Sequence, residues 1–126
     1  NHTWSHKDLT TLSKEDINLE IERTNKAIQK ATGKEPTVYR PPYGSINNQV
    51  REAVNMPPIL WTVDTEDWKS RDANKVLKEV QKAVKDDSII LMHDIHNSTV
   101  EAVELVLKFL AKEGYECVTV SELNAN

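Results

Sequence analysis

Several things are scarce in this 126-residue sequence, and each scarcity excludes something. Cys117 is the only cysteine, so an internal disulfide is ruled out. It lies in the apolar run Glu116-Cys117-Val118-Thr119-Val120, with no activating pattern beside it. That placement predicts buried packing rather than a reactive thiol. A single cysteine fits either the cytosol or an exported protein. No apolar stretch approaches the roughly 20 residues that span a bilayer, and no signal-peptide pattern stands at the start. The first residues are Asn1-His2-Thr3-Trp4, without an initiating methionine, so the chain is expected to be a piece of something longer whose address lay upstream. Basic excess is also missing: 16 Lys and Arg against 20 Asp and Glu give a net charge of -4. A nucleic-acid footprint would show a basic face or stripe. The nearest basic run, Lys78-Glu79-Val80-Gln81-Lys82, is broken by acid and reads as a solvated helix face. No repeat, linker or low-complexity segment interrupts the chain, and its length suits one domain.

What is present alternates between helical and strand-like segments. Ser13-Lys14-Glu15-Asp16 resembles a capping box with Asp in place of Glu. After it Ile17, Ile21, Ala27, Ile28 and Ala31 recur at helical spacing, with Gly33 as the stop. Thr37-Val38-Tyr39 reads as a short strand and residues 47–54 as a short helix. Pro57 and Pro58 precede a strand-like run, Ile59-Leu60-Trp61-Thr62-Val63. Val76, Leu77, Val80, Ala83 and Val84 mark another helix. The continuous apolar run Ile89-Ile90-Leu91-Met92 has the character of a parallel strand covered on both faces. Val100, Val103, Val106, Leu107 and Leu110 mark a helix that Gly114 ends, Val118-Thr119-Val120 reads as a final strand, and residues 121–123 start a last turn. Strand followed by helix, four times over, predicts an α/β fold with a parallel sheet and helices outside. Chemistry in such folds gathers at the carboxyl ends of the strands. Here those ends are residues 40–44, 64–68 and 93–96.

These same segments, with the amino-terminal histidines, hold the residues best equipped for chemistry. All four histidines fall in two groups, His2 with His6 and His93 with His96. A His-x3-His spacing can bring two imidazoles onto one metal, though a tetrahedral site needs a third protein ligand. The alternative is a pair of surface histidines at a frayed terminus. In Arg40-Pro41-Pro42-Tyr43-Gly44 two prolines fix the backbone and Gly44 permits a turn. Such a loop can aim an arginine and backbone N–H groups inward, or can be a plain loop with a surface arginine. Asp64-Thr65-Glu66-Asp67-Trp68 offers three carboxylates to orient a histidine or pair with Arg40, and Trp68 a flat wall for a sugar ring. The alternative is an acidic loop whose tryptophan packs in the core. His93, at the end of the most hydrophobic strand, is of the residue type best suited to proton transfer near neutrality, or is a satisfied core histidine. Asp86-Asp87 is a paired aspartate but precedes the strand, and reads as a helix-end loop.

Taken in order, His-x3-His, Arg-Pro-Pro-Tyr, Asp-x2-Asp-Trp and Leu-x-His closely resemble motifs two to five of the polysaccharide deacetylases, carbohydrate esterase family 4, also called the NodB homology domain. The resemblance covers essentially the whole chain. Asn1-His2-Thr3-Trp4-Ser5-His6, Asp67-Trp68-Lys69-Ser70 and Leu91-Met92-His93-Asp94-Ile95-His96 look most like the peptidoglycan N-acetylglucosamine deacetylases of Gram-positive bacteria. The resemblance implies a distorted (β/α) barrel with a groove across the top. It implies metal ligation by His2 and His6, to zinc first, with cobalt or nickel also compatible. Arg40 would hold the catalytic base, the Tyr43 N–H would meet the oxyanion, and Asp67 would tune His93, the general acid. Trp68 and Leu91 would line the pocket for the acetyl methyl. The implied reaction is hydrolysis of N-acetyl groups on an acetylated amino-sugar polymer, peptidoglycan, at an extracellular or cell-wall site. Both histidine groups are then expected to face one cleft.

One departure from the family pattern is large. The family's first motif carries adjacent aspartates, one the base and the other the third metal ligand, and it lies upstream of His-x3-His. Residues 1–126 are therefore expected to be the carboxyl-terminal portion of a single NodB-like catalytic domain that lacks its amino-terminal strands, inactive alone and partnered by the segment that supplies those aspartates. Rival readings are a deacetylase of chitin or another acetylated polysaccharide, xylan or muramic acid N-acetyl groups among them, and a catalytically incomplete carbohydrate-binding fragment.

Overall fold

Ser13 opens the longest helix of the computed structural model, whose described residues are 1–125. Its hydroxyl accepts from the Asp16 N–H at 3.2 Å, satisfying one of the free donors at the start of α1, Lys14–Thr32. Gly33 ends the helix in the left-handed region at φ 77, and its N–H returns to the Gln29 carbonyl at 2.8 Å. The apolar stripe works only in its first half: Ile17 and Ile21 are buried, whereas Ala27 and Ala31 stay exposed.

Contacts divide the chain into two compact units, Asn1–Leu60 and a second beginning at Trp61. In the first, Leu9, Ile17, Ile21, Tyr39, Val50 and Val54 form the core. Each of the aliphatic side chains contributes about 1.5–3 kcal/mol by leaving water. Asn47 caps the short helix α2, Asn48–Ala53, by accepting from the Val50 N–H at 2.9 Å. The expected strand at Thr37-Val38-Tyr39 contributes one parallel bridge, Tyr39 to Pro58. The Tyr39 N–H donates to Pro57 O at 3.3 Å, and the Ile59 N–H to Tyr39 O at 2.8 Å. This pattern uses the groups on either side of Pro58 and leaves its missing N–H irrelevant.

The second unit holds a two-stranded parallel sheet, β1, Val63–Asp64, with β2, Ile90–Leu91, in the register Val63 to Ile90 and Asp64 to Leu91. Threonines lengthen this ladder. Thr62 and Val63 N–H groups both donate to Ile89 O, at 2.9 and 3.0 Å, and the Thr62 hydroxyl accepts from the Ile89 N–H at 2.8 Å. At the other end the buried Thr65 hydroxyl donates to Leu91 O at 2.7 Å. After β1 come α3, Asp67–Ser70, and α4, Ala73–Ala83; after β2 come α5, Asn97–Lys112, and α6, Val120–Asn124. The core here is Val76, Val80, Ala102, Val106 and Leu110. Asp86 and Asp87 lie in the turn after α4, as expected, with Asp87 at φ 64.

Two expectations at the carboxyl end are corrected. Val118-Thr119-Val120 is not a strand. Thr119 forms a full capping box with Glu122, and Val120 becomes the first residue of α6. Reciprocal bonds at Thr119 and Glu122 satisfy two orphan helix donors, which outweighs the strand preference of two valines. Cys117 is exposed rather than buried: among the described residues the segment it belongs to pairs with no strand, and Val118 is exposed as well.

Candidate active site

In the first unit, His2 is held by a reciprocal exchange with Arg40. The Arg40 N–H donates to Asn1 O at 2.9 Å, and His2 Nδ1 lies 2.6 Å from Arg40 O. A carbonyl can only accept, so Nδ1 carries the proton and Nε2 keeps its lone pair. The pKa of His2 is lowered, first by partial burial and then by the neighbouring His6, Arg40 and amino terminus, against the carbonyl bond that raises it. The neutral imidazole is the form that binds a cation. His6 sits edge-on to His2, ring centroids 4.9 Å apart, and edge-on to Tyr43 at the same distance. The expected pair is thus brought together.

Backbone strain marks the segments that carry these three rings and Thr3. Thr3, His6 and Tyr43 adopt φ of 67, 56 and 62. For residues with a Cβ the left-handed region costs roughly 1–2 kcal/mol each, and such outliers concentrate at functional sites. Tyr43 is the second residue of a short helical turn, Pro42–Gly44, that follows buried Pro41. Its N–H precedes the first bond of that turn, made by Gly44 to Pro41 O, so it has no partner within the turn. Its side chain is exposed.

Arg40 donates from a terminal nitrogen to Leu60 O at 3.1 Å, while its Nε is buried without a hydrogen-bond partner. A desolvated guanidinium N–H left open calls for an anionic acceptor. Among the described residues, no three His, Cys, Asp or Glu side chains gather as a cation site. His2 and His6 therefore fit a divalent cation as two of its ligands, not as a full set.

The second unit builds a different device. Asp67 opens α3 and is buried. One carboxylate oxygen accepts from His93 Nδ1 at 2.8 Å; the other accepts from the His93 N–H at 2.6 Å and the Thr99 hydroxyl at 2.8 Å. Burial alone would raise the Asp67 pKa, but the bonds from the His93 ring and backbone and from Thr99 hold it below the ordinary aspartate value. Asp67 is thus ionised at neutral pH and fixes Nδ1 as the donor, which leaves His93 Nε2 for chemistry. The side chain of His93 is partly exposed, so that edge can be reached. Leu91 is buried two residues before His93, and Trp68 is exposed on α3.

Two contributors escaped the sequence reading. Thr99, in the first turn of α5, donates to Asp67 and is almost wholly buried. Glu20, on α1, accepts from the backbone N–H groups of Trp4 and Ser5 at 2.9 and 2.8 Å. Nothing in their spacing distinguishes a threonine or a glutamate that reaches a distant loop from one facing water.

Comparison with known proteins places these residues in context. A family model described as polysaccharide deacetylase matches residues 1–58. The peptidoglycan-N-acetylglucosamine deacetylase PgdA of Listeria monocytogenes is 46% identical over 97% of this chain. The peptidoglycan-N-acetylmuramic acid deacetylase PdaC of Bacillus subtilis is 42% identical over 98%. The solved structure of PdaC superposes with a TM-score of 0.95 at 41% identity, covering 99% of this chain and 62% of that one. The chain spans 26% of the length of each of these two curated relatives.

Proposed function

Since the chain belongs to the polysaccharide deacetylase family and has its α/β fold, we propose that it carries machinery for hydrolytic N-deacetylation of N-acetylglucosamine residues in peptidoglycan. The observation that carries this reading is the buried, ionised Asp67 bonded to both the ring and the backbone of His93. An imidazole so held presents one nitrogen in a fixed direction, as proton donation to a leaving amine requires.

In the proposed reaction, water adds to the acetamide carbon, a C–O bond forms, and the C–N bond breaks to give acetate and a free sugar amine. His2 and His6 would hold a divalent cation, zinc first, which when bound polarises the amide carbonyl and acidifies water. The Tyr43 N–H donates to the oxygen that gains negative charge. Protonated His93 gives its Nε2 proton to the amine nitrogen as the C–N bond breaks. Asp67 keeps the opposite edge of that ring bonded throughout. Arg40 Nε anchors a carboxylate base contributed from outside this chain, which would also complete the cation's ligand set. Trp68 and Leu91 are assigned to the wall against the acetyl methyl. Peptidoglycan as substrate puts the site on the extracellular or cell-wall side of the membrane.

Acetate release from peptidoglycan by the full-length protein tests this reading. His93→Ala should lower kcat by about 10²–10⁴-fold, the usual contribution of a positioned proton donor. A folded His93→Ala protein that turns over within tenfold of wild type would sink the assignment. The substrate is read from the same digest by mass spectrometry of the muropeptides. Amines confined to muramic acid would transfer the activity to the sugar named for PdaC.

A further inference from the structure

The segment that carries both amino-terminal histidines has no regular structure, yet it contains two left-handed residues, Thr3 and His6. Such a segment, left free, would sample many conformations in which the two imidazoles lie apart. It is fixed from one side by α1. Asn1 donates its carboxamide N–H groups to Ile21 O at 3.0 Å and Asn25 Oδ1 at 2.6 Å. The Glu20 carboxylate spans the middle of the loop, with one oxygen accepting from the N–H groups of Trp4 and Ser5 and the other from the Ser5 hydroxyl. One turn on, the Arg23 guanidinium lies 3.9 Å from the Trp4 ring centroid. Within the loop, Thr3 Oγ1 accepts from the His6 N–H at 3.1 Å.

We infer that Glu20 is a positioning residue for the His2–His6 pair: its carboxylate gathers three donors from the residues between them and sets the separation of the two rings. Arg23 covers the Trp4 face and keeps the loop seated on the helix. Charge-assisted bonds to consecutive backbone N–H groups are directional and strong, so one side chain suffices to select the strained conformer. Glu20 touches neither imidazole and takes no part in proton transfer. Its effect is confined to how well two nitrogens are presented to a cation, in which respect the inference rests on the proposed ligand role of His2 and His6.

Titrating zinc into the chelator-stripped full-length protein, by calorimetry, tests it. Groups that orient metal ligands typically change affinity by 10–100-fold, and Glu20→Ala should weaken zinc binding by about that factor. Glu20→Gln should recover most of it, because the amide oxygen can still accept both N–H groups while its nitrogen donates to the Ser5 hydroxyl. Glu22→Ala, two residues along α1 and facing away, should bind as wild type does. Wild-type affinity in a folded Glu20→Ala protein overturns the inference. Amide exchange supplies a readout independent of metal: the Trp4 and Ser5 N–H groups should exchange at least tenfold faster in Glu20→Ala. If wild type itself binds no zinc, the ligand reading falls and exchange alone decides, with unchanged rates at Trp4 and Ser5 overturning the clamp.

Discussion

Replacing Thr99 by valine isolates one bond in the Asp67 cluster. Valine keeps the branched shape and the γ-methyl and removes only the hydroxyl, which donates to Asp67 at 2.8 Å in a buried setting. A hydrogen bond to an ionised group contributes about 1.5–3 kcal/mol net. Asp67 retains two donors from His93, so the carboxylate is weakened in its solvation rather than stranded. The expected loss is therefore about 2 kcal/mol at pH 7, and not the larger penalty of an unpaired buried charge. Thr99→Ser keeps the donor and loses a methyl, so its cost should be nearer 1 kcal/mol. Urea unfolding followed by tryptophan fluorescence measures both, since Trp61 and Trp68 lie in the same unit. The gap between wild type and Thr99→Val should narrow in acid as Asp67 takes up a proton and becomes a weaker acceptor. A Thr99→Val loss below about 0.5 kcal/mol at pH 7, outside the range for such bonds, would refute the reading of Thr99 as a third donor that matters.

Two further outcomes are expected. Asp67 has a folded pKa below its unfolded value near 3.9, so its contribution is fully present above that value and is lost as pH falls through the folded pKa; Asp67→Asn should flatten the acid limb of the stability profile below about pH 4, read by urea midpoints across pH, and an unchanged acid limb would contradict it. Gly33→Ala meets no atom within 4 Å but must hold φ 77, so it should cost about 1 kcal/mol through strain alone, with Gly33→Asn milder, and a thermal melt in which alanine is neutral would exclude the left-handed cap.

Much of the scaffold is legible in the sequence alone. Ser13 and Gly33 bracket α1 because caps act locally, on groups three or four residues away. The parallel pairing of the apolar run at Ile90–Leu91 was also legible, from its lack of alternation. Reading failed where a local alternative won. At Thr119 a capping box four residues long took the segment from the strand its valines suggested. The pairing of Asp67 with His93, separated by 26 residues, does not follow from either motif alone and came only from family likeness. Thr99 and Glu20 stayed hidden for a simpler reason. Their side chains act on partners distant in sequence, and helical periodicity reports which face is apolar, not which polar atom finds a partner.

The ladder between residues 62 and 91 has a consequence for anyone seeking a hardier version of this protein. Valine is the usual improvement at strand positions, because it prefers extended backbone and loses nothing when its surroundings are dry. Here the hydroxyls of Thr62 and Thr65 are rungs in their own right. Exchanging them for methyls would remove one rung at each end of the sheet, beside the segment that carries Asp67 and His93, so improvement by residue preference alone would weaken the part of the molecule it was meant to brace.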